Sequence, residues 1–155
     1  MMIKLKNQVY RIEPSLSLLY CVVFGSVEMR DILHNIESIW QDPLRKPGMK
    51  LIFDGALAAT LSFERIDIQG QIEHNAWMMA QGNALEPTAI IVREGFDLTL
   101  SRIVELQVTM AVPIQMNAFL TLREAVDWLE LGDAHAEIVA IQRDLYLQAV
   151  QIPAP

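Results

Sequence analysis

The chain reads as a single α/β domain, with a mixed, mostly parallel sheet of about five strands flanked by helices and an extra helix at its carboxyl end. Three observations predict this. Residues 88–130, TAIIVREGFDLTLSRIVELQVTMAVPIQMNAFLTLREAVDWLE, pass from strand to helix periodicity twice in succession. The apolar run AIIV at 89–92 suits a strand covered on both faces, which is characteristic of parallel sheets. At 155 residues the chain has the common size of one domain and can bury a sizeable core.

Each element has a local cause. Residues 9–13 and 18–24 are apolar-rich runs separated by Pro14, Ser15, Leu16 and Ser17, the turn chemistry of a hairpin, so the chain opens as two strands. Gly25 and Ser26 then precede VEMRDILHNIESIWQ, where Met29, Ile32, Leu33, Ile36 and Trp40 recur on one helical face, and Asp42-Pro43 ends the helix. A third strand over 49–53 follows Pro47-Gly48 and is closed by Asp54-Gly55; a helical crossover makes it parallel to the strand before. Residues 62–82 are read as a helix of mixed periodicity, weakened by Gly70 in its middle. Strands at 88–93 and 113–119 flank a helix at 96–110. In TLRE, Thr121 and Glu124 form a capping box, with Leu122, Ala125, Val126 and Leu129 as the inner face.

After Gly132 a last helix begins, with Asp133 as cap and Ile138, Ile141, Leu145 and Ala149 along one stripe. A second stripe of Val139, Tyr146 and Val150 lies about 100° round the wheel. Either the core-facing surface is broad, or this helix pairs with a second copy as a homodimer. The organisation is therefore an α/β domain over 1–132, followed by a helix and tail over 133–155 that form the candidate dimerisation element, with residues 151–155 expected to fray.

Composition narrows the function. Hydrophobic residues make up 52% and mean hydropathy is +0.26, yet no stretch reaches the roughly 18 apolar residues of a membrane span. The amino terminus has no apolar segment followed by a cleavage site, so a cytoplasmic protein is expected. A formal charge of −7 argues against a nucleic-acid partner, because phosphate binding needs clustered lysine and arginine. Arg45, Lys46 and Lys50 form the only basic cluster, and a solvated loop explains it better than an anion site. The single cysteine, Cys21 in LLYCVVF, reads as a small buried apolar side chain without a redox role.

No catalytic constellation stands out, and no cofactor is implied. His34, His74 and His135 are far apart, and neither H-x-x-x-H nor C-x-x-C occurs, so no metal site is expected. Glu73-His74 is the best acid/base pair on paper, but adjacent helical residues do not face one another. Neither a nucleophile elbow nor a phosphate loop is present. An enzyme is the lesser expectation.

The element order, the turn DPLRKPGMKLIFD and the ending NAFLTLREAVDWL together resemble the bacterial STAS-like family. These are small domains similar to anti-sigma-factor antagonists and, more distantly, to the Sec14-type lipid-binding fold. The resemblance covers about residues 7–130 and leaves the last helix outside. It implies a non-enzymatic regulatory module that binds a protein partner, switched in the antagonists by phosphorylation of a serine in Asp-Ser-Ser-Gly after the third strand. This chain departs there: counting from Asp54, Ser62, Phe63, Glu64 and Arg65 occupy that place. Glu64 imitates a phosphoserine poorly and is better read as a first-turn glutamate, while Ser62 and Thr60 read as cap or loop hydroxyls.

The expected partner surface is the loop from Gly55 through Ala56 and Thr60 to Ser62, with Glu64 at the start of the next helix, since partners of open α/β sheets approach the carboxyl ends of strands. The alternative function is a binder of a small apolar ligand or lipid, with Trp77, Met78 and Met110, joined by Met79 and Met116, lining an adaptable pocket. Ordinary core filling explains those side chains more cheaply.

Overall fold

The computed structural model describes residues 2–62, 73, 87–93 and 115–150. The sheet contains six strands, one more than the sequence pattern distinguishes, ordered β1-β2-β3-β4-β5-β6. They are β1 (Met2–Leu5), β2 (Gln8–Glu13), β3 (Leu18–Glu28), β4 (Lys50–Ser62), β5 (Thr88–Ile91) and β6 (Met116–Phe119). The first three are antiparallel neighbours, and β3 through β6 run parallel to one another. Helix α1 (Met29–Trp40) joins β3 to β4, and α2 (Leu122–Trp128) and α3 (His135–Val150) follow the sheet. Of the expected helices at 62–82 and 96–110, only Ser62 and Glu73 are among the described residues: Ser62 is the last residue of β4, and Glu73 is helical and exposed.

Strand β1 has no turn dipeptide to announce it. Lys6 and Asn7 make the connection, and Asn7 adopts φ 56, a conformation that asparagine tolerates better than most residues. Its side-chain amide donates to Phe24 O at 2.9 Å, which holds the hairpin against β3. The expected hairpin over 14–17 is a short 3-10 turn, Pro14–Leu16, closed by Ser17 at φ 49.

Both central strands run further than expected. Gly25, at φ 73, keeps β3 going to Glu28, so the helix starts at Met29 and Val27 is a buried strand residue. Asp54-Gly55 does not close β4. Val22 pairs with Asp54 but Phe24 pairs with Leu57, so β4 spends one extra residue there. That is a β-bulge, which bends a strand and lets it continue. A second extra residue falls between Ala58 and Thr60. A Cβ on Gly55 would stand 3.2 Å from Ile91 O, so the bulge packs closely on β5.

Alternation along the strands divides the core in two. Val9, Leu18, Tyr20, Val22 and Ile52 face α2 and α3, while Tyr10, Ile12, Leu19 and Cys21 face the α1 side with Ile39 and Met49. The predicted stripe of α3, namely Ile138, Ile141, Leu145 and Ala149, is buried and belongs to the larger cluster. Burying the three branched side chains stabilises the fold by about 1.5–3 kcal/mol each, as upper estimates. Helix α3 is thus part of the domain core.

Two helix starts differ from expectation. Thr121 accepts from Glu124 N at 3.2 Å, but its hydroxyl donates to Glu124 Oε1 at 2.8 Å, so the carboxylate takes the hydroxyl proton in place of the Thr121 N–H. Asp133 does not cap α3, because Gly132–Ala134 forms a 3-10 turn that leads directly into His135. No helix among the described residues is long and apolar enough to cross a membrane.

Candidate functional site

The strand that carries the site is β4. Beyond Asp54, β4 parts from β5, which pairs with it only from Leu51 to Asp54. From Gly55 to Ser62 it is paired with β3 alone among the described strands. Period-two geometry puts Ile52 and Asp54 on the face that packs under α3. Asp54 therefore ends an apolar strand segment with a carboxylate pushed into the core, and it is 0% exposed.

Such a group is tolerable only if donors surround it. Tyr20, which pairs with Ile52 across β3, donates its hydroxyl to Asp54 Oδ2 at 2.6 Å. Gln142 and Tyr146, four residues apart on one face of α3, donate to the same oxygen at 3.2 and 2.8 Å. Oδ1 accepts from Ala56 N at 3.0 Å, which fixes the bulge. All four contacts set a donor against an acceptor-only carboxylate. Gln142 Nε2 also reaches the Tyr146 hydroxyl at 3.3 Å.

The electrostatic consequence falls on the tyrosines. Burial, then the nearby Asp54 charge and the hydrogen bond to it, push the Tyr20 hydroxyl far above its ordinary value, and Tyr146 follows for the same reasons in the same order. Both stay protonated donors throughout the accessible pH range. Among the described residues, Asp54 accepts from Tyr20, Ala56, Gln142 and Tyr146. The cluster thus joins β3, β4 and α3, and its chemistry is that of a structural tie.

Above it lies a shallow apolar groove of about 370 Å³, lined by Leu57 of β4 and by Val139, Gln142, Arg143, Tyr146, Leu147 and Val150 of α3. All three expected dimer candidates, Val139, Tyr146 and Val150, come together here. Val150 is 69% exposed and Leu147 51%.

The expected partner residues do not form a loop. Gly55 and Ala56 lie in the bulge, Thr60 is exposed on the extended strand, and Ser62 ends it. Glu64, and the pocket candidates Trp77, Met78 and Met110, lie outside the described residues, as does His74. His34 is exposed on α1, and His135 Nδ1 stands 3.5 Å from Arg123 Nη1. The basic cluster disperses into separate tasks: Arg45 stacks 4.1 Å over the Trp40 ring, and Lys50 Nζ donates to Leu129 O.

A second buried polar group sits on the α1 side. Gln8 Nε2 donates to Cys21 Sγ at 3.1 Å, and Asn35 Nδ2 bonds both Gln8 Oε1 and Lys6 O. Burial pushes the Cys21 thiol up to about 12, which leaves it an inert thiol. Sequence reasoning missed the roles of Tyr20, Asp54 and Gln142. The available signals were an aspartate on the buried face of LIFD and the i,i+4 spacing of Gln142 and Tyr146.

No family model matches the chain, and no curated protein matches it. Among solved structures it is similar to an uncharacterized protein of the DUF3478 family with a SpoIIAA-like fold, from Shewanella loihica PV-4. The identity is 15%, the alignment covers 83% of this chain and 90% of that one, and the TM-score is 0.45.

Proposed function

We propose that the chain is a non-catalytic regulatory module that binds a protein partner along the extended part of β4, and that it works as a homodimer. The observation that carries this reading is the overshoot of β4 past β5. From Gly55 to Ser62 one edge of the strand has no neighbouring strand among the described residues. Such an edge is a template for an added strand, with main-chain hydrogen bonds supplying affinity and alternate side chains supplying selectivity. Ala59 and Thr60 are exposed there, within reach of a partner.

The polar chemistry nearby supports binding over catalysis. Asp54 is 0% exposed, and its hydrogen bonds are all taken up by β3, β4 and α3. A general base must reach the proton that it removes, and this carboxylate faces its own fold.

The test is quantitative affinity capture from the native cell with the wild-type chain and with Ala59→Arg and Thr60→Arg. Both positions are exposed, so the variants should fold with unchanged thermal stability. A partner captured by the wild type and lost by both variants supports the assignment. If every partner is retained at undiminished yield, the β4 edge is not the docking surface.

A further inference from the structure

The amino ends of β5 and β6 and the carboxyl end of α2 frame a second cleft, of about 650 Å³, at the opposite end of the sheet from the overshoot of β4. That volume falls within the roughly 300–1,000 Å³ of small-molecule sites. Pro87 and Met116 supply apolar wall, and Gln115, Asn117, Trp128 and Glu130 supply polar groups. The backbone here is already committed: Pro87 O accepts from Leu51 N, Gln115 O from Thr88 N, and Leu129 O from Lys50 Nζ. The side chains are not. Gln115, Trp128 and Glu130 make no side-chain hydrogen bond or ion pair among the described residues, and Asn117 uses only Oδ1, which accepts from Ala118 N at 2.9 Å.

Glu130 is the least expected of these residues. It follows the last turn of α2 in a Schellman cap, with Glu130 N donating to Asp127 O and Leu131 N to Val126 O, each at 3.0 Å. Its φ is 59, a left-handed conformation for which glycine is the low-cost residue. Glycine would make the cap as well, but it would take the carboxylate off the cleft wall. Strain retained in a residue that lines a cleft marks a side chain with a task.

We infer that the cleft binds an uncharged sugar, with the Trp128 ring against a pyranose face and Gln115, Asn117 and Glu130 on its hydroxyls. The side-chain inventory selects this ligand. Amides both donate and accept, and a carboxylate accepts from two adjacent hydroxyls, so the wall matches groups that do both. An apolar ligand would bury these side chains unpaired. An anion would face Glu130, the only charged side chain among the described residues that line the cleft. A cation would meet the charge of Lys50, which is held close by at Leu129 O. The Trp128 indole packs on Phe119 with ring centroids 5.6 Å apart, and it offers a flat apolar face and an N–H donor. The cleft is separate from the β4 edge, so the two readings stand or fall independently.

The test is a titration of the full chain followed by ¹H–¹⁵N correlation spectra. The probes are D-glucose, D-mannose, N-acetyl-D-glucosamine and maltose, with choline chloride and sodium phosphate run beside them. Trp128→Phe identifies the Trp128 indole signal. At least one sugar should shift that signal and the Gln115 and Asn117 side-chain amides to saturation, with a Kd of roughly 0.1–10 mM, while choline and phosphate leave them in place. Glu130→Gly should weaken that sugar at least tenfold yet raise Tm by about 1–4 °C, because glycine takes this φ without strain. The inference is overturned if no sugar moves these signals up to about 50 mM, if choline or phosphate saturates them instead, or if Glu130→Gly binds as tightly as the wild type.

Discussion

Replacing Asp54 by alanine tests how the sheet and α3 are tied together. The substitution removes the acceptor for the Tyr20 and Tyr146 hydroxyls, for Gln142 Nε2 and for Ala56 N. Tyr20 is 0% exposed, so its hydroxyl has no water to turn to, and a buried donor left unsatisfied costs about 1–3 kcal/mol. Tyr146 and Gln142 are half-buried and lose less. Relief from burying the carboxylate offsets part of the loss, and the net is about 3–5 kcal/mol, the usual cost of breaking a buried charged network on one side. For a domain of this length that lowers Tm by about 6–20 °C. Urea denaturation followed by circular dichroism reads it as a lower midpoint at unchanged slope. The same reasoning predicts that Tyr20→Phe/Asp54→Leu/Tyr146→Phe, which removes the acceptor together with its two hydroxyl donors, is more stable than Asp54→Ala alone by about 2 kcal/mol or more. A cost below about 1 kcal/mol for Asp54→Ala, or a triple variant no better than the single one, would refute the account of this cluster.

Further outcomes follow from the same structure. All three tyrosines of the chain have hydroxyls raised above their ordinary value, Tyr10 through burial and its 2.8 Å hydrogen bond to Asp42, so absorbance at 295 nm should show no phenolate while the protein is native at pH 10. Because the folded state holds these protons more tightly than the unfolded chain, their contribution is complete below about pH 10 and is lost as pH rises above it; alkaline stability that failed to decline would contradict this. Cys21, pushed up to about 12, should resist thiol reagents at pH 8 in the native protein and react fully after denaturation. Gly25→Ala should cost about 1–2 kcal/mol by thermal denaturation, since φ is 73 and the new Cβ would stand 3.1 Å from Asn7 Nδ2; a neutral substitution would show that the bend is not strained.

Local patterning made much of this fold legible. The hairpin at Pro14, α1, the start of β4, β5 and the buried stripe of α3 each rest on periodicity or on turn residues in one short stretch. What was not legible depends on partners distant in sequence. Asp54-Gly55 has the composition of a strand-ending turn, and only the register against Val22 and Phe24 makes it a bulge. The side-chain donors to Asp54 lie 34, 88 and 92 residues away, so no window of sequence contains the cluster. Strand β1 was missed because its connection uses Lys6-Asn7 without a following glycine, and Asn7 is held instead by a bond to Phe24 O. Residues 55–62 have the composition of a loop, and they form a strand whose second edge no described strand covers, because the bulge that keeps the strand going is set by its register against β3.

The most direct measurement of the proposed role is amide hydrogen exchange across β4, with and without the partner recovered by capture. An added strand should slow exchange within residues 55–62 by at least about tenfold while leaving Leu51 to Asp54, already paired on both sides, unchanged. Unchanged exchange across 55–62 in the saturated complex, with protection appearing elsewhere, would contradict docking along this edge.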